Sequence, residues 1–491
     1  MLFRTLFTLL LFTFICSSQT KIEIIQAGEL KYNRENHNAR KLIGDVILKH
    51  DNALMYCDSA YLYEASNKID AFSNVKINQG DSIEILGNYL EYDGNSRVAF
   101  IRGNVSLIDN EIKLDANEII YNKNNNIAYY YSGGLIKTVD NVLESQKGTY
   151  NTISKMAYFK KNVLLTNPEY IFESDTLNFF TTQEIAFFYG PTTIKSGTNV
   201  INCSKGKYDT QKEEAWFTDS AKLTTDSYSL FGDSLFYDGI NNVSEAFYNT
   251  KLIDKIDDYI IEGNYAHYFE NKDSCFVTNK TVLSVLLDDT LFLHADTLVS
   301  VLDSNYSKIA LVFHDVKIYK SNLQGKCDSL IYSFSNNKME MFDAPILWSD
   351  VNQITSDKLD FYLSKNQLDS MHLLGAPFIC SKEDSLSFNQ IKGKEMTGYF
   401  LENKLKTLDV RGNGHTIYFV KDDDNLVGIN ITYCSNMKIS VLQNEINQIT
   451  FLTKPEAKVY PEKDLSIDER FLEKFNWRDN ERPLKKEDIF N

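Results

Sequence analysis

Apolar and polar residues alternate along most of this chain, in short runs separated by polar clusters. In the run 97–109, RVAFIRGNVSLID, Val105 and Leu107 share the parity of Ile101. Because successive side chains of a β-strand point to opposite faces, this run predicts a strand with one apolar face. The cluster 93–96, DGNS, precedes the run and is rich in turn-forming residues. The chain is therefore predicted to consist mainly of strands and turns.

Aromatic residues recur along these runs every 29 residues. One row defines a first strand in each repeat, and all seven of its positions are aromatic: Tyr63, Tyr92, Tyr121, Tyr150, Phe179, Tyr208 and Tyr237. A second row defines a second strand: Phe72, Ile101, Tyr130, Phe159, Phe188 and Phe217. With looser spacing the pattern continues to residue 455 and gives about thirteen repeats. Since a two-strand repeat cannot bury its apolar face alone, neighbouring repeats must stack into one elongated all-β domain.

A third aromatic row has the opposite parity, so the second strand is apolar on both faces near its start. Its members are Ala71, Phe100, Tyr129, Tyr158, Phe187 and Trp216. A bend after these residues, at the Gly or Asn that follows, would let both rows turn inward. Stacking is expected to pair like strands with like. Two sheets would then face each other across the aromatic rows, as a sandwich, a folded trough or a jelly roll.

The repeats also resemble a known family, the OstA-like proteins of lipopolysaccharide transport. The resemblance rests on repeated units of the form G-D/N-V-x-L, a polar turn, and D-S/A-x-x-x-Y. These units read IGDVILKHDNALMYCDSAYLY (43–63), RGNVSLIDNEIKLDANEIIY (102–121) and KNVLLTNPEYIFESDTLNFF (161–180). The resemblance implies a V-shaped, open β-jelly roll, a β-solenoid-like stack. Its apolar interior would carry the acyl chains of lipopolysaccharide between the inner and outer membranes.

The resemblance also implies partners and a place in the cell. The expected partners are lipopolysaccharide, the inner-membrane and outer-membrane components of its transport, and further copies of the chain stacked end to end. The thirteen residues of the first two rows are the candidates for lining the lipid groove. Which strand parity faces that groove is left open.

Residues 1–18, MLFRTLFTLLLFTFICSS, are typical of a secretory signal peptide, with Arg4 before a short apolar run and cleavage expected before Gln19. Cys16 is an alternative site for lipidation. The protein is therefore expected in the periplasm, with an outer-membrane association also considered. The predicted segments after the signal peptide are an N-terminal stretch 19–39, regular repeats 40–240, looser repeats 241–455 and a charged tail 456–491.

Composition narrows the function classes. The net charge of −16 argues against binding nucleic acid through a broad basic surface. Six cysteines after the signal peptide are widely spaced without a C-x-x-C pair, which favours isolated buried thiols: Cys57, Cys203, Cys275, Cys327, Cys380 and Cys434. In 461–491, 16 of 31 residues are charged. This segment is interpreted as a short amphipathic helix that caps the stack, or as a partner-docking segment.

Catalytic and metal-binding motifs are missing from the sequence. The seven histidines show no metal-ligand spacing, and there is no nucleophile elbow, P-loop or dinucleotide fingerprint. No cofactor, no metal and no enzymatic activity are therefore expected. Two alternatives remain: a parallel β-helix that acts on polysaccharide, and a purely structural exported β-solenoid. In the latter the aromatic rows would fill a dry core instead of lining a groove.

Overall fold

The computed structural model describes residues 20–32, 39–80, 82–110, 112–287, 289–364, 367–402, 404–422, 425–442 and 445–490. The chain divides into two compact units, Met1–Gly197 (unit 1) and Thr198–Asn491 (unit 2). The predicted signal peptide, with its alternative lipidation site Cys16, lies outside the described residues. No helix among the described residues is both long enough and apolar enough to cross a membrane.

Unit 1 consists of β-strands joined by short turns. Its strands are β1 (Glu23–Gln26), β2 (Glu29–Tyr32), β3 (Arg40–His50), β4 (Ala53–Tyr63), β5 (Lys68–Gln79), β6 (Ile83–Asp93), β7 (Val98–Asp109), β8 (Ile112–Asn122), β9 (Ile127–Tyr130), β10 (Gly134–Lys137), β11 (Val142–Ser145), β12 (Lys147–Asn151), β13 (Met156–Thr166), β14 (Ile171–Phe180) and β15 (Ile185–Ser196).

Unit 2 continues the same kind of structure. Its strands are β16 (Asn199–Asp209), β17 (Glu214–Thr224), β18 (Tyr228–Asp238), β19 (Val243–Asp254), β20 (Tyr259–Phe269), β21 (Ser274–Val285), β22 (Leu291–Leu302), β23 (Lys308–Lys320), β24 (Leu323–Ser333), β25 (Lys338–Phe342), β26 (Ile346–Ser349), β27 (Asn352–Thr355), β28 (Lys358–Ser364), β29 (Gln367–Leu374), β30 (Phe378–Lys382), β31 (Phe388–Lys392), β32 (Glu395–Leu401), β33 (Lys404–Asp422), β34 (Asn425–Leu442), β35 (Glu445–Leu452) and β36 (Glu456–Tyr460). Its short 3-10 turns are Glu270–Lys272, Glu462–Asp464, Asp468–Arg470, Asp479–Glu481 and Lys486–Phe490.

The predicted all-β repeat fold is confirmed, but the predicted strand pairing is wrong. Within each unit first and second strands pair with each other in antiparallel ladders, so that β7 pairs with β6 on one side and with β8 on the other. Adjacent strands joined by tight turns pair more readily than strands one repeat apart, which would need crossover connections. The ladders described within each unit are antiparallel, so a parallel β-helix is also wrong for these residues.

Most second strands bend at a two-residue corner, and the predicted bend is confirmed there. In one repeat the corner interrupts the strand and separates β9 from β10. At Gly103 and Asn104 both residues have positive φ, +82° and +51°. The pairing register shifts at the same point, between Arg102 and Val105, so the corner is a β-bulge that bends the strand. Similar pairs of positive-φ residues recur at 44–45, 73–74, 161–162, 219–220, 248–249, 279–280 and 314–315. Each bent strand therefore contributes one segment on either side of its corner.

A column of small residues accompanies the corners. The valine that follows a corner pairs with a small residue of the first strand: Val46 with Cys57, Val75 with Gly87, Val105 with Ala116, and Val163 with Ser174. A Cβ atom on Gly87 would lie 2.4 Å from Cγ2 of Ile101. Side chains on either side of the bend thus close over this column, which leaves no room for larger residues. This column was not predicted from the sequence.

The C-terminal segment packs along the sheet of unit 2 and contains no amphipathic helix among its described residues. It follows β36 as an extended chain with four 3-10 turns. Gln390 donates to the carbonyl of Arg470 (2.8 Å) and accepts from the amide of Leu472 (2.8 Å). Gln353 donates to the carbonyl of Asn476 (2.6 Å) and accepts from the amide of Arg478 (2.7 Å). The segment therefore covers one face of β27, β30 and β31.

An aromatic and aliphatic cluster lies beneath this segment. The cluster comprises Phe378, Cys380, Ile417, Phe419, Ile429, Leu465 and Leu472, with Phe475 and Trp477 packed against it. Phe388 contacts Trp477 at 5.1 Å between ring centroids and Phe475 at 5.0 Å. The tail therefore packs against the sheet of unit 2 and covers this cluster.

Candidate lipid-binding interior

Eight of the ten members of the two predicted aromatic rows in unit 1 lie on one face of the bent sheet. Side chains of both rows there are at most 7% exposed: Tyr92, Ile101, Tyr121, Tyr130, Tyr150, Phe159, Phe179 and Phe188. The segments beyond the corners turn their own apolar face toward the same space. Phe172 from such a segment meets Phe188 edge-on at 6.0 Å between ring centroids. The two halves of the bent sheet therefore enclose a common apolar interior.

The fixed spacing of 29 residues misplaces the first member of each row. Tyr63 and Phe72 are half-buried, whereas their neighbours Leu62 and Ala71 are 2% and 1% exposed and face the interior. Phe72 instead contacts Tyr61 edge-on, at 6.0 Å between ring centroids, on the opposite face. The cause is a turn that is one residue longer. Ile77 and Ile85 are eight residues apart, whereas the equivalent Leu107 and Leu114 are seven apart.

Three predicted groove residues belong to unit 2. Phe217 is 1% exposed, while Tyr208 and Tyr237 are half-buried. Tyr237 pairs with Ala215, just as Tyr121 pairs with Ala99 in unit 1. Tyr208, which also pairs with Ala215, and Tyr237 therefore occupy the same repeat position in their own unit, with more of the side chain accessible.

The aromatic members of the third row do not turn inward. Phe100, Tyr129, Tyr158 and Phe187 are half-buried, and Trp216 is 47% exposed. On this outer face the guanidinium of Arg102 lies over the rings of Tyr89 and Phe100, at 4.3 Å and 5.1 Å from their centroids. The corner lies after these residues, so it reorients the following segment and leaves the outer parity of this row unchanged.

Tyr130 occupies a tightly confined position in the interior. Its ring is held between two glycines: a Cβ on Gly134 would lie 2.6 Å from Cε2, and a Cβ on Gly148 would lie 2.3 Å from Oη. The hydroxyl forms a 2.7 Å hydrogen bond with Oγ of Ser145. Most other repeats carry Leu or Ile where Gly148 stands, as at Leu90, Ile119, Leu177 and Leu235. The missing side chain thus provides the space that the Tyr130 ring fills.

The interior of unit 1 is bounded on one side by the bent sheet and on the other by two rows of turns. Row A turns lead from a first to a second strand, such as 94–97 between β6 and β7. Row B turns lead from a second to a first strand, such as 51–52 between β3 and β4. We call the polar contacts between these rows the seam.

Three groups of described residues contribute to the seam in unit 1. At the first, His50 Nδ1 lies 2.7 Å from the Tyr92 hydroxyl. At the second, the Asp51 carboxylate pairs with Nε of Arg97 (3.0 Å) and Nζ of Lys123 (3.5 Å).

The third group centres on Asp109, which is 0% exposed. Its carboxylate accepts from the Tyr150 hydroxyl (2.8 Å) and from Nζ of Lys155. Tyr150 thus spans the interior with its ring and reaches the seam with its hydroxyl.

Unit 2 has corresponding contacts between its own turns. Tyr228 donates to Glu270 at 2.7 Å, and Lys308 pairs with Asp254 at 3.7 Å and with Asp273 at 2.6 Å. Lys308 and Asp254 are 8% and 7% exposed. The polar closure between turns is therefore a property of each unit taken by itself.

Burial keeps the interior phenols neutral. It raises the pKa of Tyr130 to about 12, and burial together with the Asp109 carboxylate raises the pKa of Tyr150. The pKa of Tyr121 is likewise raised by burial. At neutral pH these side chains present uncharged aromatic surface to the interior, which suits apolar matter and not ions.

The described cysteines are buried and unbonded, so the prediction of isolated thiols is confirmed. Burial raises the pKa of Cys57 to about 11 and that of Cys203 to about 12, which keeps both thiols protonated. Among the described residues no cluster of three or more His, Cys, Asp or Glu could hold a metal ion.

Comparison with known proteins supports the resemblance over the first third of the chain. Residues 19–175 match the family described as OstA-like protein, which confirms the predicted resemblance over that range. Among solved structures, the chain is similar to LptH, described as the LptA homologous periplasmic component of the conserved lipopolysaccharide transport device from Pseudomonas aeruginosa. The identity is 20%, over 27% of this chain and 79% of that one, with a TM-score of 0.15, so this similarity supports no structural conclusion. A comparison with curated proteins found no match.

Proposed function

We propose that this chain, whose residues 19–175 are OstA-like, is an exported lipid carrier. Its interior would receive the acyl chains of lipopolysaccharide and pass them between the inner and outer membranes. The observation that carries the proposal is the apolar interior of unit 1, which runs through the family-matched repeats and is bounded by polar contacts at the seam. The candidate groove residues facing it would line the lipid path.

The family match and the similarity to LptH supply the choice of lipid. LptH is described as a component of a lipopolysaccharide transport device in the periplasm. By analogy, the partners of this chain would be transport components at the two membranes, and copies could stack end to end. Under this proposal the regular repeats 40–240 and the looser repeats 241–455 both contribute, and 456–491 serves as a structural tail.

Binding would be driven by the transfer of methylene groups from water. At about 0.8 kcal/mol per CH₂, a chain of about twelve methylenes gains about 10 kcal/mol on burial. Because Phe159 and Phe188 are fully buried, their rings must move apart to admit an acyl chain. The gain has to exceed the cost of that separation, and no covalent chemistry is required.

The dense packing of the interior also favours a second candidate, a structural β-solenoid without a ligand. Phe159, Phe179 and Phe188 are 0% exposed. A protein whose only task is to span a distance would need this packing and nothing more. The two candidates differ in one respect, which is whether amphiphile reaches the interior in the cell.

Photocrosslinking from within β13 separates them. A photoreactive residue replaces Phe159, which is fully buried, or its neighbour Lys160, which is exposed on the opposite face. We expect a lipopolysaccharide adduct at 159 and none at 160. An adduct at neither position, in exported protein that resists proteolysis as the parent does, would refute the carrier and leave the structural solenoid.

A further inference from the structure

The interior of unit 1 has two boundaries of different strength. On the corner side, strands such as β7 pass continuously from one half of the sheet to the other and are hydrogen-bonded to both neighbours. Where β9 and β10, and beside them β11 and β12, are interrupted at the corner, backbone hydrogen bonds from Gly133 to Gln146 (2.8 Å) and from Gln146 to Lys161 (3.0 Å) still join the neighbouring segments. On the seam side, the side chains described above hold the two rows of turns together. Separation there breaks side-chain contacts and leaves the backbone ladder intact.

From this difference we propose that acyl chains reach the interior sideways through the seam, with Asp51 and Asp109 as the latch between the two rows of turns. This inference rests on the proposed function, because it assigns a route to the same lipid. It also defines the kind of ligand. An amphiphile that enters sideways leaves its polar head at the seam while its acyl chains lie among the aromatic rings.

Asp109 joins turns that are far apart in the sequence. It belongs to a row B turn, whereas Tyr150 and Lys155 lie 41 and 46 residues later at a row A turn. Tyr150 also contributes its ring to the interior, at 0% exposure. When this contact breaks, the ring that blocks the interior is released together with the turn.

Asp51 forms the equivalent contact nearer the N-terminus. Besides Arg97 and Lys123, it accepts a hydrogen bond from the Thr20 hydroxyl, which lowers its pKa and keeps it ionised. Its side chain is 22% exposed, and that of Arg97 is 40% exposed. Because water reaches the Asp51–Arg97 ion pair, a ligand can replace its contacts more readily than it could replace those of a fully buried ion pair.

The cations of the seam suit an anionic head group. Once the carboxylates are displaced, Arg97, Lys123 and Lys155 become donors for phosphate oxygens, the acceptors that Arg and Lys side chains bind strongly. A phosphorylated amphiphile would therefore replace one set of ion pairs by another while its acyl chains enter. A neutral amphiphile gains no such exchange and should enter more slowly.

A reversible cross-link tests the route. Asp51→Cys with Arg97→Cys places one thiol on each row of turns, and a bis-maleimide with an internal disulfide joins them. Buried Cys57 does not compete, because its thiol is protonated and inaccessible. The matched control is Ser96→Cys with Asn124→Cys. These residues lie on neighbouring row A turns, where the Asn124 side chain donates to the Ser96 carbonyl at 2.8 Å.

The readout is uptake of a pyrene-labelled phosphatidic acid by the purified mature chain, followed by stopped-flow fluorescence. We expect the seam cross-link to slow uptake at least tenfold, thiol to restore it, and the control cross-link to have no effect. Asp109→Asn, which keeps the acceptor for Tyr150 and removes the charge, should accelerate uptake about threefold or more. Equal uptake by the seam-linked and control-linked proteins would overturn the sideways route and favour access from the end of the stack. If the unlinked protein takes up no amphiphile, the carrier function itself fails, and the route with it.

Discussion

Adding one methyl group at Gly148 should destabilise unit 1 by about 2 kcal/mol. The new Cβ would lie 2.3 Å from Oη and 2.5 Å from Cζ of Tyr130, and Gly134 blocks the opposite side of the ring. Overpacking of this kind costs about 1–3 kcal/mol. Loss of the Tyr130–Ser145 hydrogen bond adds about 1 kcal/mol. Because Ala loses less conformational entropy than Gly on folding, about 0.5–1 kcal/mol of this destabilisation is offset.

A double-mutant cycle that combines Gly148→Ala with Tyr130→Leu shows whether the ring is the cause. Tyr130→Leu alone leaves a cavity, which the methyl group added at position 148 partly fills in the double variant. The double variant should therefore be more stable than the sum of the single effects by about 1–2 kcal/mol, the range typical of residues in contact. Hydrogen exchange of peptides from β9 to β12, analysed by mass spectrometry, gives the local free energies without assuming that the whole chain unfolds in two states. Additivity within about 0.5 kcal/mol would refute the proposed clamp.

Three further changes test other parts of the structure. Lys161 has φ +66° at a corner where some repeats carry Gly, so Lys161→Gly should stabilise unit 1 by about 0.5–1 kcal/mol. The control Lys160→Gly, in the extended strand, should destabilise unit 1 by a similar amount. Equal changes in the thermal unfolding of both variants would contradict this prediction. Gln390→Ala removes both hydrogen bonds to the tail backbone and should expose the tail to limited proteolysis, at a cost of about 1–3 kcal/mol; unchanged protection would show that apolar packing alone retains it. Hydrogen bonds from Arg478 lower the pKa of Glu481 to about 2, so their stabilisation is complete above the ordinary pKa of 4.5 and is lost as the pH falls toward 2. Hydrogen exchange of the tail should accordingly rise between about pH 5 and pH 3, relative to its intrinsic rate, and Glu481→Gln should remove that rise.

The sequence predicted the period and the apolar faces because both depend on local alternation. It could not decide how strands pair, since a spacing of 29 residues is the same whether like strands or unlike strands are neighbours. It also misplaced Tyr63 and Phe72. In that repeat a turn that is one residue longer places the inward-facing residues 30 residues before their equivalents. The aromatic residues found 29 residues before them therefore belong to the opposite face of the strand. A check on the small-residue column would have revealed the shift, because Cys57 and Gly87 are 30 residues apart.

The seam and the tail were beyond sequence reasoning for a different reason. Asp109 and Lys155 meet only because the corners fold both halves of the sheet toward each other, and a bend angle is not encoded in any spacing. The tail was interpreted from its charge, yet Leu472 and Trp477 hold it to the sheet together with the backbone bonds to Gln390. These backbone bonds depend on a single polar side chain, which points from its strand toward the tail. A buried Gln in an otherwise apolar strand, such as Gln390 at 0% exposure, was the available signal. Because an amide side chain can satisfy one backbone donor and one acceptor together, its burial indicates an extended segment packed across the strand.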